Sequence, residues 1–240
     1  MKEKLTTTLF IPVLDEREGL EAIMPKIDPS WVDQILFSDG MSTDGTLDYI
    51  RSHGYEYFVQ SKPGIRHAYS EGFPKIRGDI VVSFSPDGNC IPEAIPVLIE
   101  RVKKGADMVI ASRYKDQAKS EDDDLVTGFG NKMFNLIIRV LHGHPYTDCF
   151  VIYRAYRTQL FYELGLNLDE SYRTEKWFRT VMGIEPLLSV RAAKMKMQIE
   201  EIPYDEPKRF FGHRKLQVFR WGGAYLTQMI LEFFSSEFRR

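Results

Sequence analysis

Ser83-Phe84-Ser85-Pro86-Asp87-Gly88-Asn89-Cys90-Ile91-Pro92-Glu93 is the stretch whose reading decides the fold. Ahead of it stands Asp79-Ile80-Val81-Val82, a short apolar run after Gly78 with the β-branched character of a buried strand. Behind it, Pro92-Glu93-Ala94 opens the spacing Ile95, Leu98, Ile99 and Val102, the apolar face of a helix that starts at proline. A strand therefore stops in a tight polar turn carrying one carboxylate and one carboxamide, and a helix follows. Open α/β sheets take their ligands at the carboxyl ends of strands. A hard cation such as magnesium takes oxygen ligands, one or two from protein and the rest from phosphate and water. Asp87 and Asn89 offer two such oxygens. The plainer alternative is an Asp-Gly turn closed by an Asx hydrogen bond.

The same alternation runs outward from this turn. Thr7, Leu9-Phe10-Ile11-Pro12-Val13 reads as a strand, followed by the polar turn Leu14-Asp15-Glu16-Arg17-Glu18-Gly19 and a helix with Leu20, Ile23 and Met24. A second strand, Gln34-Ile35-Leu36-Phe37, ends at Ser38-Asp39-Gly40-Met41-Ser42-Thr43-Asp44-Gly45-Thr46, where Ser42 or Thr43 suits a helix cap. A third, over residues 55–59, leads to Lys62-Pro63-Gly64-Ile65-Arg66 and a helix; a fifth, Met108-Val109-Ile110-Ala111, ends at Ser112-Arg113-Tyr114. Strands alternating with helices through short loops predict a doubly wound, mostly parallel α/β sheet. Lys62 and Arg66, after a strand end, stand where phosphates are met. Arg113, at the end of a buried strand, calls for a partner such as a diphosphate or an Asp.

Past the fifth strand the pattern breaks. Ser120-Glu121-Asp122-Asp123-Asp124 reads most simply as a solvated loop, with an acidic metal cluster as the sharper alternative. A helix is expected over 128–141, an extended segment or strand over 148–154, a helix near 184–194 and a strand near 197–202. No repeat or low-complexity linker interrupts the chain, which divides into a catalytic domain at 1–215 and a C-terminal apolar helical appendage at 216–240. That appendage is rich in aromatics and broken at Gly222-Gly223, and Arg239-Arg240 follows. It suits either a membrane interface or packing on the sheet or a second subunit.

Balanced charge, 32 basic against 34 acidic side chains, argues against a general nucleic-acid binder. Two cysteines in no metal-binding or secretory spacing, no signal-peptide core and no membrane-length apolar run lead to the expectation of a cytoplasmic chain whose membrane contact is peripheral.

Four segments, in order, resemble family 2 glycosyltransferases of the GT-A fold, and in particular their polyprenyl-phosphate branch, the dolichyl-phosphate mannose synthases among them. They are Ile11-Pro12-Val13-Leu14-Asp15-Glu16, Asp39-Gly40-Met41-Ser42-Thr43-Asp44-Gly45-Thr46, Gly105 through Ser112-Arg113-Tyr114, and Asp148 through Arg154-Ala155-Tyr156-Arg157. The resemblance spans about residues 7 to 216. It implies transfer of a sugar from a GDP- or UDP-sugar, with Mg2+ or Mn2+, by direct displacement with inversion, to an acceptor that in this branch is a polyprenyl phosphate. One departure stands out: where the family has Asp-x-Asp-x-Gln, this chain has Ser85-Pro86-Asp87-Gly88-Asn89, one formal negative charge fewer.

The resemblance implies roles for single residues. Pro12, Asp15, Glu16, Asp39, Lys62, Arg66 and Ser85 fall in the nucleotide-sugar segments, with Asp39 on the base or ribose. Asp44 fits a helix cap better. Asp87 and Asn89 hold the metal. Arg113, Asp148 and Glu185 stand with Asp87 at the reaction centre, Asp148 either orienting the acceptor or pairing with Arg113. Arg209-Phe210-Phe211-Gly212-His213-Arg214-Lys215-Leu216 resembles the family's Arg-x-x-Gly-x-Ser-Lys-Leu, a clamp in which Arg209, Arg214 and Lys215 bind the acceptor phosphate. Two rivals remain: a nucleotidyltransferase, which would carry a Gly-rich phosphate loop where Leu14-Asp15-Glu16-Arg17-Glu18 stands, and a non-catalytic nucleotide-sugar binder, suggested by Ser85.

Overall fold

The structure, a computed structural model, describes residues 5–209 and 218–238. Its strands are β1 (Thr7–Val13), β2 (Gln34–Asp39), β3 (Glu56–Val59), β4 (Ile80–Ser83), β5 (Met108–Ser112), β6 (Arg154–Arg157) and β7 (Ile199–Pro203). They form one sheet in the order β3-β2-β1-β4-β6-β5-β7. Every neighbouring pair is parallel except the two that β6 makes, with β4 and with β5. Leu9, Phe10, Ile11, Val81, Val82, Val109 and Ile110 are wholly buried, as expected of strands covered on both faces.

The covering helices are α1 (Arg17–Ile23), α2 (Thr46–Ser52), α3 (Ile65–Gly72), α4 (Ala94–Lys103), α5 (Leu125–His142), α6 (Leu160–Glu163), α7 (Arg173–Phe178), α8 (Glu185–Lys194) and α9 (Val218–Phe234). The doubly wound sheet expected from the alternation is present. Register shows where it opens. Pairing of β1 with β2 runs to Val13 opposite Asp39, whereas pairing of β1 with β4 ends at Phe10 opposite Ser83. Strand order reverses between β1 and β4, so a crevice opens there at the carboxyl edge. Pro12 stands beyond the last β4 partner, where its missing N–H costs no ladder bond on that side.

Three expectations are corrected. The strand expected over 148–154 begins only at Arg154. The Arg154 guanidinium, itself buried, donates to the carbonyls of Val151 (2.8 Å) and Cys149 (3.2 Å), so those acceptors bond a side chain instead of a ladder. A third donation reaches Ser189 Oγ on α8 at 3.0 Å. The acidic loop before α5 is not simply solvated. Glu121 N–H donates to Glu206 O and Glu206 N–H to Lys119 O, which turns Asp122 and Asp123 inward. Asp124 then closes a capping box with Thr127, so α5 starts at Leu125, ahead of the expected Gly128.

The helical C-terminal segment expected from the sequence is present, and of its stated alternatives it takes packing against the protein's own core. α9 runs unbroken through Gly222-Gly223, because the absent side chain of Gly223 admits the Phe178 ring; a Cβ there would lie 2.5 Å from Phe178 Cε1. Ala224, Tyr225 and Met229 join the core, and Glu232 pairs with Arg191 (2.8 Å) and Lys194 (3.2 Å) of α8.

Candidate active site

A cavity of about 890 Å³ lies along the carboxyl edge of the sheet. Pro12, Glu16, Ser85, Asp87, Asn89, Arg113, Glu185 and Arg209 are among the residues that line it. The sequence-expected residues Asp15, Asp39, Lys62, Arg66 and Asp148 are not on its wall, and each has a physical reason.

Asp39 ends β2 with its side chain buried. Oδ2 accepts the N–H groups of Met41 (3.1 Å) and Ser42 (3.2 Å), while buried Oδ1 has no hydrogen-bond partner. Its neighbours Ser38 and Gly40 line the cavity, and Ser38 Oγ is likewise unpaired. Asp15 sits at φ 53° and accepts from Thr43 N–H at 2.8 Å, so it clasps the β1 loop to the β2 loop. Asp44 is not itself the N-cap of α2, which is Gly45, but it accepts the first N–H of two helices, Thr46 of α2 at 2.9 Å and Arg17 of α1 at 3.0 Å. Lys62 is exposed beside a separate, shallow depression. Arg66 is withdrawn altogether from the place where phosphates were expected. A buried guanidinium needs carboxylates, and it takes Glu175 at 2.9 Å and Asp169 at 2.7 Å while lying over the Tyr172 ring.

At the turn itself the Asx hydrogen bond is present. Asp87 Oδ1 accepts the Asn89 N–H at 3.1 Å, an Asx turn, and Oδ2 points instead to Arg209 Nη2 at 3.1 Å. Asn89 Nδ2 donates to Asp122 Oδ2 at 3.2 Å, leaving its buried Oδ1 with no hydrogen-bond partner. The turn seats on α1 at Gly19, where a Cβ would come within 2.5 Å of the Pro86 carbonyl oxygen.

Arg113 takes an Asp, the second of its two expected partners. Its fork reaches Asp148 through Nε (2.6 Å) and Nη2 (2.9 Å), and Nη1 reaches Glu206 at 3.2 Å. Burial alone would weaken its hold on a proton, but Asp148, Glu206 and Asp123 outweigh that and keep it firmly charged. Asp148 is completely buried behind Arg113, away from the wall. Burial pushes the Glu206 carboxyl up, against the pull of Arg113 and of the Ser120 hydroxyl that donates to it. Around Asn89, the carboxylates of Asp87, Asp122, Asp123, Asp148 and Glu206 gather about the guanidiniums of Arg113 and Arg209.

Glu185 opens α8 and is buried at the wall, accepting from Tyr69 Oη at 3.0 Å. Burial raises its carboxyl above the ordinary range, and the Tyr69 hydrogen bond offsets only part of that. Arg214 and Lys215 lie outside the described residues.

The donor set fits a divalent cation in part. Asp87 and the unpaired Asn89 Oδ1 are hard oxygen ligands two residues apart. Among the described residues no group of three or more His, Cys, Asp or Glu is arranged to hold an ion.

Asp122, Asp123, Glu206 and Arg179 were missed as cavity residues. Nothing in a run of consecutive acids says which ones turn inward. Arg179, at φ 50° after α7, lies on the wall in a backbone conformation that local sequence does not announce.

Residues 11–165 match the family described as Glycosyl transferase family 2. Over 126 residues, 49% of this chain and 36% of the relative, the chain is 32% identical to a dolichol-phosphate mannosyltransferase of Pyrococcus furiosus, so it spans little more than a third of that protein. It is 28% identical over 235 residues to an undecaprenyl-phosphate mannosyltransferase of Micrococcus luteus, covering 90% of this chain and 93% of that one. Among solved structures it superposes on glucosyl-3-phosphoglycerate synthase of Mycobacterium tuberculosis bound to uridine diphosphate. That match has TM-score 0.65 at 18% identity, with 95% of this chain and 80% of that one covered. The same enzyme has been solved with Mn2+, uridine diphosphate and its product, at TM-score 0.64, 17% identity and the same coverage. The sheet, the crevice and these likenesses define a GT-A fold. By the extent of the family match, the chain belongs to glycosyltransferase family 2, and it is an enzyme of that family.

Proposed function

We propose that the chain is an inverting, metal-assisted transferase that moves a sugar from a GDP- or UDP-sugar to a polyprenyl phosphate at the cytoplasmic face of a membrane. The observation that carries the reading is a pair of buried oxygens without hydrogen-bond partners, Asn89 Oδ1 on a residue of the cavity wall and Asp39 Oδ1 on the residue between Ser38 and Gly40, which line it. Unpaired buried oxygens are costly and call for a ligand. Asp39 suits an N–H or ribose hydroxyl of a nucleoside, and Asn89 with Asp87 suits a cation bound to a diphosphate. The relatives named for dolichol-phosphate and undecaprenyl-phosphate mannosyl transfer support the acceptor class.

In this reading Pro12, Glu16 and Ser85 shape the nucleotide end of the cavity. Asp87 and Asn89 would hold Mg2+ or Mn2+, which would supply charge stabilisation to the leaving diphosphate. Arg113, kept charged and rigid by Asp148 and Glu206, faces the same charge. Arg209 leaves Asp87 for phosphate as the donor and cation arrive, and Arg214 and Lys215 extend that clamp. The acceptor phosphate oxygen attacks the anomeric carbon, the new carbon–oxygen bond forms as the bond to the diphosphate breaks, and configuration inverts. An ionised phosphate brings its own electron pair, so no protein base is needed. Asp148 acts through Arg113 as a positioning residue.

A hydroxyl acceptor is the second reading, and Glu185 favours it. A wall carboxyl that burial makes a stronger base than an ordinary carboxylate is suited, when ionised, to accept a hydroxyl proton. Incubation with GDP- and UDP-sugars, Mn2+ and a prenyl phosphate, followed by extraction of the sugar into organic solvent, tests the first reading. Sugar remaining wholly in water, or passing to a soluble hydroxyl acceptor instead, rules it out.

A further inference from the structure

α5 presents two different surfaces. Asn131, Phe134, Asn135 and Ile138 turn into the protein, and Val126, Thr127 and Gly130 of its first turns line the catalytic cavity. On the outer side Leu125, Phe129, Leu136 and Val140 are 92%, 69%, 59% and 72% exposed. Steps of four, seven and four residues place them in one stripe along the helix. Lys132 and Arg139 are exposed on the same side, and none of the 18 residues of the helix is acidic. Isolated apolar side chains on a surface need no explanation, but a row of four does. Val126 belongs to both surfaces, being 56% exposed and part of the cavity wall, so the stripe runs directly into the site.

We infer that the outer face of α5 is the membrane-docking surface of this enzyme, lying along the headgroup boundary of an anionic bilayer with Lys132 and Arg139 toward the lipid phosphates. The inference rests on the polyprenyl-phosphate reading and deepens it. A prenyl chain stays in the bilayer while its phosphate must reach the cavity, and α5 is the element that touches both places. Helices of this kind lie in the interface instead of crossing it. No helix among the described residues is long and apolar enough to span a membrane. The sequence pointed to the C-terminal segment for this contact, but α9 commits Ala224, Tyr225 and Met229 to the core. Its exposed end, with Ile230 and Phe234, is the natural comparison surface.

The test uses the full chain and vesicles of three parts phosphatidylcholine to one part phosphatidylglycerol. Wild type is expected to sediment with the vesicles, and the double variant Phe129→Glu/Val140→Glu to lose at least tenfold in vesicle affinity. Its circular dichroism and its nucleotide affinity should match wild type, since neither residue touches the cavity. Ile230→Glu/Phe234→Glu should lose less than threefold. Transfer to long-chain polyprenyl phosphate in vesicles should fall about tenfold in the α5 variant, while transfer to a short, water-soluble prenyl phosphate stays at the wild-type rate. Wild-type vesicle binding by the α5 variant overturns the inference, as does a loss confined to the α9 variant. A wild type that ignores vesicles and sediments as a dimer, which the α5 variant dissociates, makes this face a contact between copies and also overturns it. Vesicle binding that depends on α5 without transfer to either prenyl phosphate supports the docking surface and refutes the acceptor.

Discussion

Arg209 Nη2 stands 3.1 Å from Asp87 Oδ2, so a guanidinium occupies the outward oxygen of the carboxylate that the turn offers to a cation. With Ser85 in place of an acid, Asp87 is the only charged ligand that the turn itself supplies. Asp87→Ala should therefore lower metal-dependent transfer by about a hundredfold or more, and Asn89→Ala by about tenfold. Arg209→Ala should tighten Mn2+ binding in the absence of nucleotide while slowing transfer. Mn2+ titration followed by electron paramagnetic resonance, beside transfer rates at limiting metal, checks all three. Unchanged turnover of Asp87→Ala at limiting Mn2+ would sink the assignment.

The unpaired Oδ1 of Asp39 makes nucleotide binding the property that should respond to its removal. Asp39→Ala should weaken UDP or GDP binding by about 1–3 kcal/mol, the range for a hydrogen bond to a charged group. The fold should survive, because the two N–H groups that Asp39 holds belong to a loop open to water. Calorimetric titration with each nucleotide decides; wild-type affinity for both places the base elsewhere.

Glu185 separates the two acceptor classes. Its folded pKa is raised, so the folded chain holds a proton that the unfolded chain has released, and stability falls as pH rises from the ordinary carboxylate value through the raised one. Glu185→Gln keeps an acceptor for Tyr69 Oη and should remove that pH dependence in denaturant titrations. Transfer to a prenyl phosphate should change less than threefold, whereas transfer to a hydroxyl would fall by about 10²–10⁴.

The opposite sign applies at α9. Burial works against ionisation of Glu232, but Arg191 and Lys194 outweigh it and its carboxyl lies below the usual range. Its contribution is present above the unfolded carboxylate pKa and disappears as pH falls through the lowered folded value. Glu232→Gln leaves two buried cations short of a counter-ion and should cost about 3–5 kcal/mol. Urea midpoints between neutral pH and acid measure both effects, and a variant as stable as wild type would show that α9 docks without this pair.

The sheet was legible because its strands carry their own signal: apolar runs, turns at their ends and helices starting just past Pro92, at Ala94, or at Thr46. The Asp87–Asn89 turn was legible for the same reason, being local. What escaped depends on groups distant in the chain. Arg66 reads as a phosphate ligand until Asp169 and Glu175, more than a hundred positions on, claim it. Asp122 and Asp123 read as solvated until Glu206 straps their loop. The family resemblance supplied Asp39 and Glu185 as site residues, but position in a motif does not say that Asp15 turns to Thr43 while Asp39 keeps an oxygen free.

The buried fork of Arg154 bears on how the enzyme is held together. The segment that carries Asp148 is shaped by donations to Cys149 and Val151, and the same guanidinium is anchored by Ser189. Glu201 fixes the Thr147 and Asp148 amides from β7, and Glu206 shares Arg113. All three anchors come after residue 165, where the family match ends. Residues 1–165 hold β1 to β6 and Arg113 with its partners Asp123 and Asp148, but not the groups that fix the Asp148 backbone or share Arg113 from the far side. The stretch most recognisable as a glycosyltransferase thus takes supports for its Arg113–Asp148 pair from the last third of the polypeptide.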